Sequence, residues 1–404
     1  MFLKWNSLYF LCYVQYNVIS NHCFFGEFAM SEEFIPVCQP LLGGNELKYV
    51  TDAVSTGWIS SSGSYVTAFE EAFAKYCGVK YAVAVCNGTV AIHLALSALG
   101  IGKGDEVIIP SFTMIATAFA VCYTGATPVF VDADKETFNI DVTKIEEKIT
   151  SKTKAIIPVH IFGNMCNMDE IERIAKKHNL FIVEDSAEAH GAEYKGKKSG
   201  SFSDIASFSF FANKNLTTGE GGMVVTDNEE YYKKCKYFKN MCFPVDAPRI
   251  YLHDDIGFNY RMSNIHAAIG LAQVEKADEY RDMRIKNAKL YMKYLSDVPG
   301  ILFQKDQKDS LNVHWMNTIV IDSEKYGHTK DELISHLKGN GIDTRLLFTS
   351  MHRQKSLKDF GCDCSGTYSV TDWLSDNGFY LPSASSLTEE QIKYICDVIK
   401  GFAI

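Results

Sequence analysis

The sequence predicts an α/β fold: a mostly parallel sheet covered on both faces, with a smaller α+β unit at the C-terminal end. Three observations predict it. Short apolar runs alternate with helix-spaced segments from Tyr81 to Asp185, and that alternation builds parallel sheets. Thr89, Asp185 and Lys214 each fall just beyond the end of an apolar run, where open α/β sheets bind ligands. From about Tyr280 the pattern changes to a long charged helix, one strand over 315–321 and a helix over 329–338. The expected division is a large domain over 30–276 and a small one over 277–404.

Taken in order, a helix opens at Gly44-Asn45, carries Leu47, Val50 and Val54 at helical spacing and ends at Gly57. A polar loop leads to a second helix with Phe69, Phe73 and Tyr76 on one face. A buried strand over 81–86 then runs through Asn87-Gly88-Thr89 into an almost wholly apolar helix over 90–99. A strand, a tight glycine turn and a helix N-terminus with free N–H groups can cradle a phosphate. The same turn also serves plain capping. Strands follow over 106–109, 128–131, 155–159 and 180–184, with helices over 113–123, 142–149 and 168–177 between them.

The stretch from Ser203 to Met223 reads as a strand, a loop with a single lysine, Lys214, and a glycine-rich turn into a second strand. A lysine beside buried strands is poorly hydrated. Desolvation lowers its pKa, and the neutral amine attacks carbonyls. A solvated loop lysine would also fit this stretch alone. Beyond it, the polar loop 257–264 precedes a helix over 265–276.

Composition excludes several classes. Of 404 residues, 47% are hydrophobic and 22% charged, which is ordinary globular usage. A net charge of −9 argues against a nucleic-acid partner. No apolar run is long enough for a membrane span. Twelve scattered cysteines without a CxxC pair read as free thiols of a reducing, cytoplasmic setting, and Cys362 and Cys364 are too isolated for a metal site. Residues 1–29 are rich in Phe and Tyr without clear periodicity, so an upstream start or a disordered extension is expected there, with Met30 as the ordinary start.

A phosphate cradle, a carboxylate and a lysine on one rim meet the needs of pyridoxal 5'-phosphate. The lysine holds the aldehyde as a Schiff base, the carboxylate keeps the pyridine nitrogen protonated, and the helix N-terminus takes the phosphate. The residues from Met30 onward carry a specific resemblance as well. Ile35-Pro36, Gly57-Trp58-Ile59-Ser60, Asn87-Gly88-Thr89, Pro110-Ser111-Phe112-Thr113, Gly125-Ala126-Thr127-Pro128, Glu184-Asp185-Ser186-Ala187-Glu188-Ala189-His190-Gly191, Ser207-Phe208-Ser209-Phe210 with Lys214 and Thr217-Thr218-Gly219-Glu220-Gly221-Gly222, and Gly257-Phe258-Asn259-Tyr260-Arg261-Met262 stand in order. Together they make the chain similar to the nucleotide-sugar aminotransferases of the DegT/DnrJ/EryC/StrS type, which have pyridoxal-phosphate fold type I.

The resemblance implies roles residue by residue. Lys214 is the Schiff-base lysine and the proton carrier. Asp185 pairs with the pyridinium nitrogen, and Glu188, often Gln in the family, lies near the 3-hydroxyl. Gly88, Thr89 and Ser209 bind phosphate. Met114 stands where many relatives stack an aromatic ring on the cofactor, and a thioether can also pack on a ring face. Asn259 reaches the phosphate of the partner subunit, which implies a homodimer with shared sites. His352 and Tyr260 are the substrate-binding candidates. His160 lies near the site, and a satisfied structural role is open for both histidines. Relatives that dehydrate sugars without moving nitrogen carry histidine at the lysine position, so Lys214 implies transfer.

The implied reaction moves an amino group from L-glutamate to a nucleotide-linked keto-sugar. The segment 208–214 most resembles the members that form perosamine from GDP-4-keto-6-deoxymannose. A UDP- or dTDP-linked 4-keto or 3-keto sugar is the alternative, and a non-catalytic regulator that binds the cofactor is a third reading. A Rossmann dehydrogenase is disfavoured, because no G-x-G-x-x-G follows the first strand.

Overall fold

The structure, a computed structural model, describes residues 34–404 apart from 246, 247 and 249. The expectation for residues 1–29 lies outside the described residues.

Seven strands form the central sheet: β1 Tyr81–Val85, β2 Glu106–Pro110, β3 Thr127–Val131, β4 Thr153–Ile156, β5 Phe181–Asp185, β6 Ile205–Ser209 and β7 Gly222–Thr226. Their spatial order is β1-β7-β6-β5-β4-β2-β3. Only β7 runs against its neighbours. The strands are short, apolar and buried along most of their length, the pattern of a sheet covered on both faces. In register, Asp185 of β5 faces Ser207 of β6, so the carboxylate and the strand leading to Lys214 end side by side.

The helices of this part are α1 Glu46–Ser55, α2 Ser64–Cys77, α3 Gly88–Ala98, α4 Ile115–Tyr123, α5 Met168–His178, α6 Glu229–Lys239 and α7 Asn264–Glu275, followed by α8 Ala277–Leu295, which packs against helix Glu389–Phe402. Helix α3 packs against α4, α6 and the strands. It is apolar all round because Ala91, Ile92, Leu94, Ala95 and Leu96 are all buried. Burying each of its leucines stabilises the fold by about 1.5–3 kcal/mol. That anchorage fixes the N-terminus of α3 at the sheet rim.

A second sheet of four strands, in the order Ile301–Phe303, Asn317–Ile321, Gly378–Leu381 and Arg345–Leu346, packs with helices Lys330–Gly339 and Glu389–Phe402 around a separate apolar core. Both sheets belong to one compact unit, Phe34–Ile404. The N-terminal segment ties to the C-terminal part: Ile35 exchanges backbone bonds with Gly341 and Asp343, and Ser383 N–H donates to the Val37 carbonyl.

Two expectations need correction. The helix expected over 142–149 is two 3₁₀ turns, Val142–Lys144 and Glu146–Lys148. The segment is short, and β-branched Val142, Thr143 and Ile145 resist the costly helix nucleus. The strand expected from Trp315 begins at Asn317, because Trp315 N–H leaves the sheet to donate to the Phe162 carbonyl.

Candidate active site

Asn87 caps α3: its backbone is extended and its side-chain oxygen accepts the Val90 N–H at 3.0 Å. The N–H groups of Gly88 and Thr89, ahead of that bond, have no protein partner among the described residues, so they present the positive end of α3 outward. Ser209, the last residue of β6, closes the other side. A Cβ on Gly88 would lie 2.6 Å from Ser209 Cβ, and one on Gly222 would lie 2.3 Å from the Asn87 carbonyl oxygen. Glycine is therefore required at both positions for close approach. The turn at Gly221-Gly222 is part of the cradle wall, a role its sequence alone did not reveal.

Asp185 ends β5, buried. Its Oδ2 accepts the Thr117 hydroxyl at 2.8 Å and its Oδ1 accepts the Ala187 N–H at 3.2 Å. No cation among the described residues comes within ion-pair distance of it. Burial raises its pKa, and the bonds from Thr117 and Ala187 only partly oppose that. A buried carboxylate in need of a cationic donor is what a protonated pyridine nitrogen satisfies. The cradle and this carboxylate together fit pyridoxal phosphate.

Lys214 follows in the loop after β6, its side chain 11% exposed. Its Nζ lies 4.0 Å from Glu188 Oε1 and 3.6 Å from the centre of the Trp315 ring. Burial lowers the pKa of Lys214, opposed by the charges of Glu188 and Asp185. Glu188 moves the other way, upward through burial. Its Oε2 accepts the Phe162 N–H at 2.7 Å. The loop carrying the lysine is pinned at the Asn213 carbonyl, which accepts the Trp315 indole N–H at 2.8 Å and the Cys38 thiol at 3.5 Å.

The structure thus brings Gly88, Ser209, Asp185, Glu188 and Lys214 to one rim. Met114 stands 50% exposed at the start of α4, one turn before Thr117. Asn259 is exposed on the loop before α7, where its side-chain oxygen accepts from Arg261 at 2.6 Å. The remaining candidates are engaged elsewhere. Tyr260 places its hydroxyl 3.0 Å from His93 Nδ1 on α3. His352 sits between Ser111 Oγ and Asp372 Oδ1, both at 3.1 Å, with its ring stacked on Tyr368.

His160 takes the structural option. Cys166 N–H donates to its Nδ1 at 3.1 Å, so the other nitrogen, Nε2, carries the proton and donates to buried Glu184 at 3.0 Å. Thr117, Trp315 and Phe162 escaped the sequence reading. Thr117 and Phe162 lie in apolar context, and Trp315 arrives from the segment just before the second sheet's strand Asn317–Ile321, so no local signal marks them.

The fold and site define a pyridoxal-phosphate-dependent aminotransferase of fold type I. The profile of the DegT/DnrJ/EryC1/StrS aminotransferase family matches residues 40–400, and the chain belongs to that family. It is 46% identical over 370 residues to a GDP-perosamine synthase of Escherichia coli O157:H7, covering 92% of this chain and 99% of that one. A GDP-perosamine synthase of Caulobacter vibrioides is 45% identical, covering 89% and 95%. Among solved structures, DesV of S. venezuelae in complex with a ketimine intermediate superposes with a TM-score of 0.85 at 31% identity, covering 92% and 98%.

Proposed function

We propose that this enzyme transfers the amino group of L-glutamate to GDP-4-keto-6-deoxymannose, giving GDP-perosamine. The observation that carries the substrate is the similarity to two GDP-perosamine synthases over nearly their whole lengths. The rim of Gly88, Ser209, Asp185 and Lys214 supports the chemistry.

When bound, pyridoxal phosphate supplies an aldehyde that accepts amines and a ring that draws electrons from the adjacent carbon. Gly88 and Thr89 N–H groups and the Ser209 hydroxyl would hold its phosphate, Asp185 its ring nitrogen, and Met114 would cover one ring face. Glu188 is placed for the 3-hydroxyl. Lys214 Nζ takes a proton from the α-carbon of the donor and delivers one to the sugar carbon that receives nitrogen. Buried walls of Phe162, Trp315 and Tyr380 keep water from that transfer.

The working form is a homodimer. Asn259 is free of its own rim and suited to reach a neighbouring phosphate, and exposed Trp58, Ile59 and Tyr123 offer apolar area for a second copy. Light scattering that returned a monomer at working concentration would overturn this. A large domain over 30–276 and a small one over 277–404 is the division we propose, and the separate apolar core of the second sheet supports it. Among the described residues no helix is long and apolar enough to cross a membrane, and a biosynthetic enzyme using glutamate and a nucleotide sugar belongs in the cytoplasm.

The Lys214→Ala variant tests the chemistry. It should retain the fold, lose borohydride-fixable cofactor and lose turnover by several orders of magnitude. Covalent cofactor retention in that variant would refute the assignment of Lys214.

A further inference from the structure

Glu188 is held for more than a contact with a cofactor hydroxyl. One carboxylate oxygen is fixed by the Phe162 N–H at 2.7 Å, which aims the other, Oε1, at Lys214 Nζ 4.0 Å away. Both side chains are buried, at 3% and 11% exposure. No other carboxylate among the described residues stands within 4 Å of that nitrogen. Nζ also rests over the Trp315 ring, and a modest change in the lysine's side-chain torsions closes the remaining gap to Oε1.

The other groups facing this pair leave it to settle its own proton. Asp185 and Cys38 act on Lys214 from β5 and from the N-terminal segment, and Arg284 acts from α8. Arg284 is buried and, among the described residues, donates to neutral groups: the Ser385 hydroxyl at 3.0 Å, the Trp315 carbonyl at 2.7 Å and Cys38 Sγ at 3.6 Å. No carboxylate among the described residues pairs with its charge, which disfavours a second cation nearby. His190 is kept neutral by burial. The buried Tyr380 hydroxyl lies within the field of Glu188 and has no hydrogen-bond partner among the described residues. Burial works against charge on both members, raising the proton affinity of Glu188 and lowering that of Lys214. The ion pair and the neutral pair are therefore drawn close in energy.

We propose that Glu188 is the proton partner of Lys214: its Oε1 takes the proton that the Nζ ammonium gives up when the amine is freed, and returns it when the lysine acts as an acid. The N–H bond breaks as the O–H bond forms, an ammonium and a carboxylate become an amine and a carboxylic acid, and no further reactant is needed. This assignment rests on Lys214 being the cofactor lysine.

The test is competitive labelling of the cofactor-free protein with trace acetic anhydride across a pH series. Peptide mass spectrometry reads the acetylated fraction at Lys214, with exposed Lys355 as the internal reference. In Glu188→Gln, which keeps size and burial but loses the charge, the Lys214 midpoint should fall by about one pH unit or more. Glu188→Asp, a carboxylate set one methylene back, should fall less, and it stands in if the Gln variant fails to fold. In the loaded enzyme Glu188→Gln should lose kcat by ~10²-fold with KM for the nucleotide sugar little changed. An unmoved midpoint overturns the proposal, as does a shifted midpoint with unchanged kcat. Failure of the wild-type protein to fix pyridoxal phosphate would instead refute the cofactor reading, whatever the midpoint does.

Discussion

Thr117 donates its hydroxyl proton to Asp185 Oδ2 at 2.8 Å, from the first turns of α4 to the end of β5. The bond orients the carboxylate without neutralising it, and a cation must come from the ligand. In the cofactor-free protein the ionised Asp185 therefore costs stability: its folded pKa is raised by burial, so stability falls as pH rises from the unfolded carboxylate pKa through that value and stays reduced above it. Asp185→Asn keeps the acceptor for Thr117 and removes the charge, at the loss of the weaker bond from the Ala187 N–H. The cofactor-free variant should melt at the wild-type temperature or above it at neutral pH, and its gain in Tm on adding pyridoxal phosphate should shrink. Turnover should fall on the order of 10²-fold, the worth of one charge-assisted hydrogen bond of about 3 kcal/mol. Differential scanning fluorimetry with and without cofactor checks the first part and steady-state kinetics the second.

The phosphate cradle gives a second prediction. Gly88→Ala would force its Cβ into Ser209 Cβ at 2.6 Å, and both atoms sit on backbones fixed by helix and strand. Overpacking of this kind costs roughly 1–3 kcal/mol. Affinity for pyridoxal phosphate should drop by about tenfold or more, read by equilibrium dialysis, with the circular-dichroism spectrum unchanged.

His160 and Glu184 give a third, about stability. Glu184 is buried, which pushes its pKa up, but the hydrogen bond from His160 with those from the N–H groups of Gly200 and Phe202 outweighs burial and holds it below the usual carboxylate range. The resulting stabilisation is complete above the unfolded carboxylate pKa, near 4.3, and is lost as pH falls through the lower folded value. His160→Ala removes one hydrogen bond to the buried carboxylate and should destabilise by roughly 1.5–3 kcal/mol. In denaturant titrations the gap between wild type and variant should be widest near neutral pH and narrow below about pH 4. A constant gap would mean that the histidine acts through packing alone.

Much of this was legible in the sequence, for definable reasons. The alternation of strand and helix up to Asp185 fixed the order of elements, because buried parallel strands read as short apolar runs. Asp185, Glu188, Ser209 and Lys214 sit within one span of 30 residues whose strands are neighbours, so local reading found them together. Trp315 was missed because its contact with Lys214 joins two sheets a hundred residues apart. Gly222 reads only as part of a glycine-rich turn, since its closeness to Asn87 appears only when β7 pairs with β1. The C-terminal strands were largely unread: Arg345–Leu346 is only two residues long, and Gly378–Leu381 follows directly on helix Ser369–Asn377.

The most direct measurement is an absorbance scan of the purified protein with pyridoxal phosphate, followed by GDP-4-keto-6-deoxymannose and L-glutamate, with the product mass read at the end. The account predicts a visible Schiff-base band that bleaches on adding glutamate, and a product with the mass of GDP-perosamine. Turnover of UDP- or dTDP-linked keto-sugars, with none of the GDP sugar, would contradict the substrate. Absence of the band with cofactor in excess would contradict the site itself.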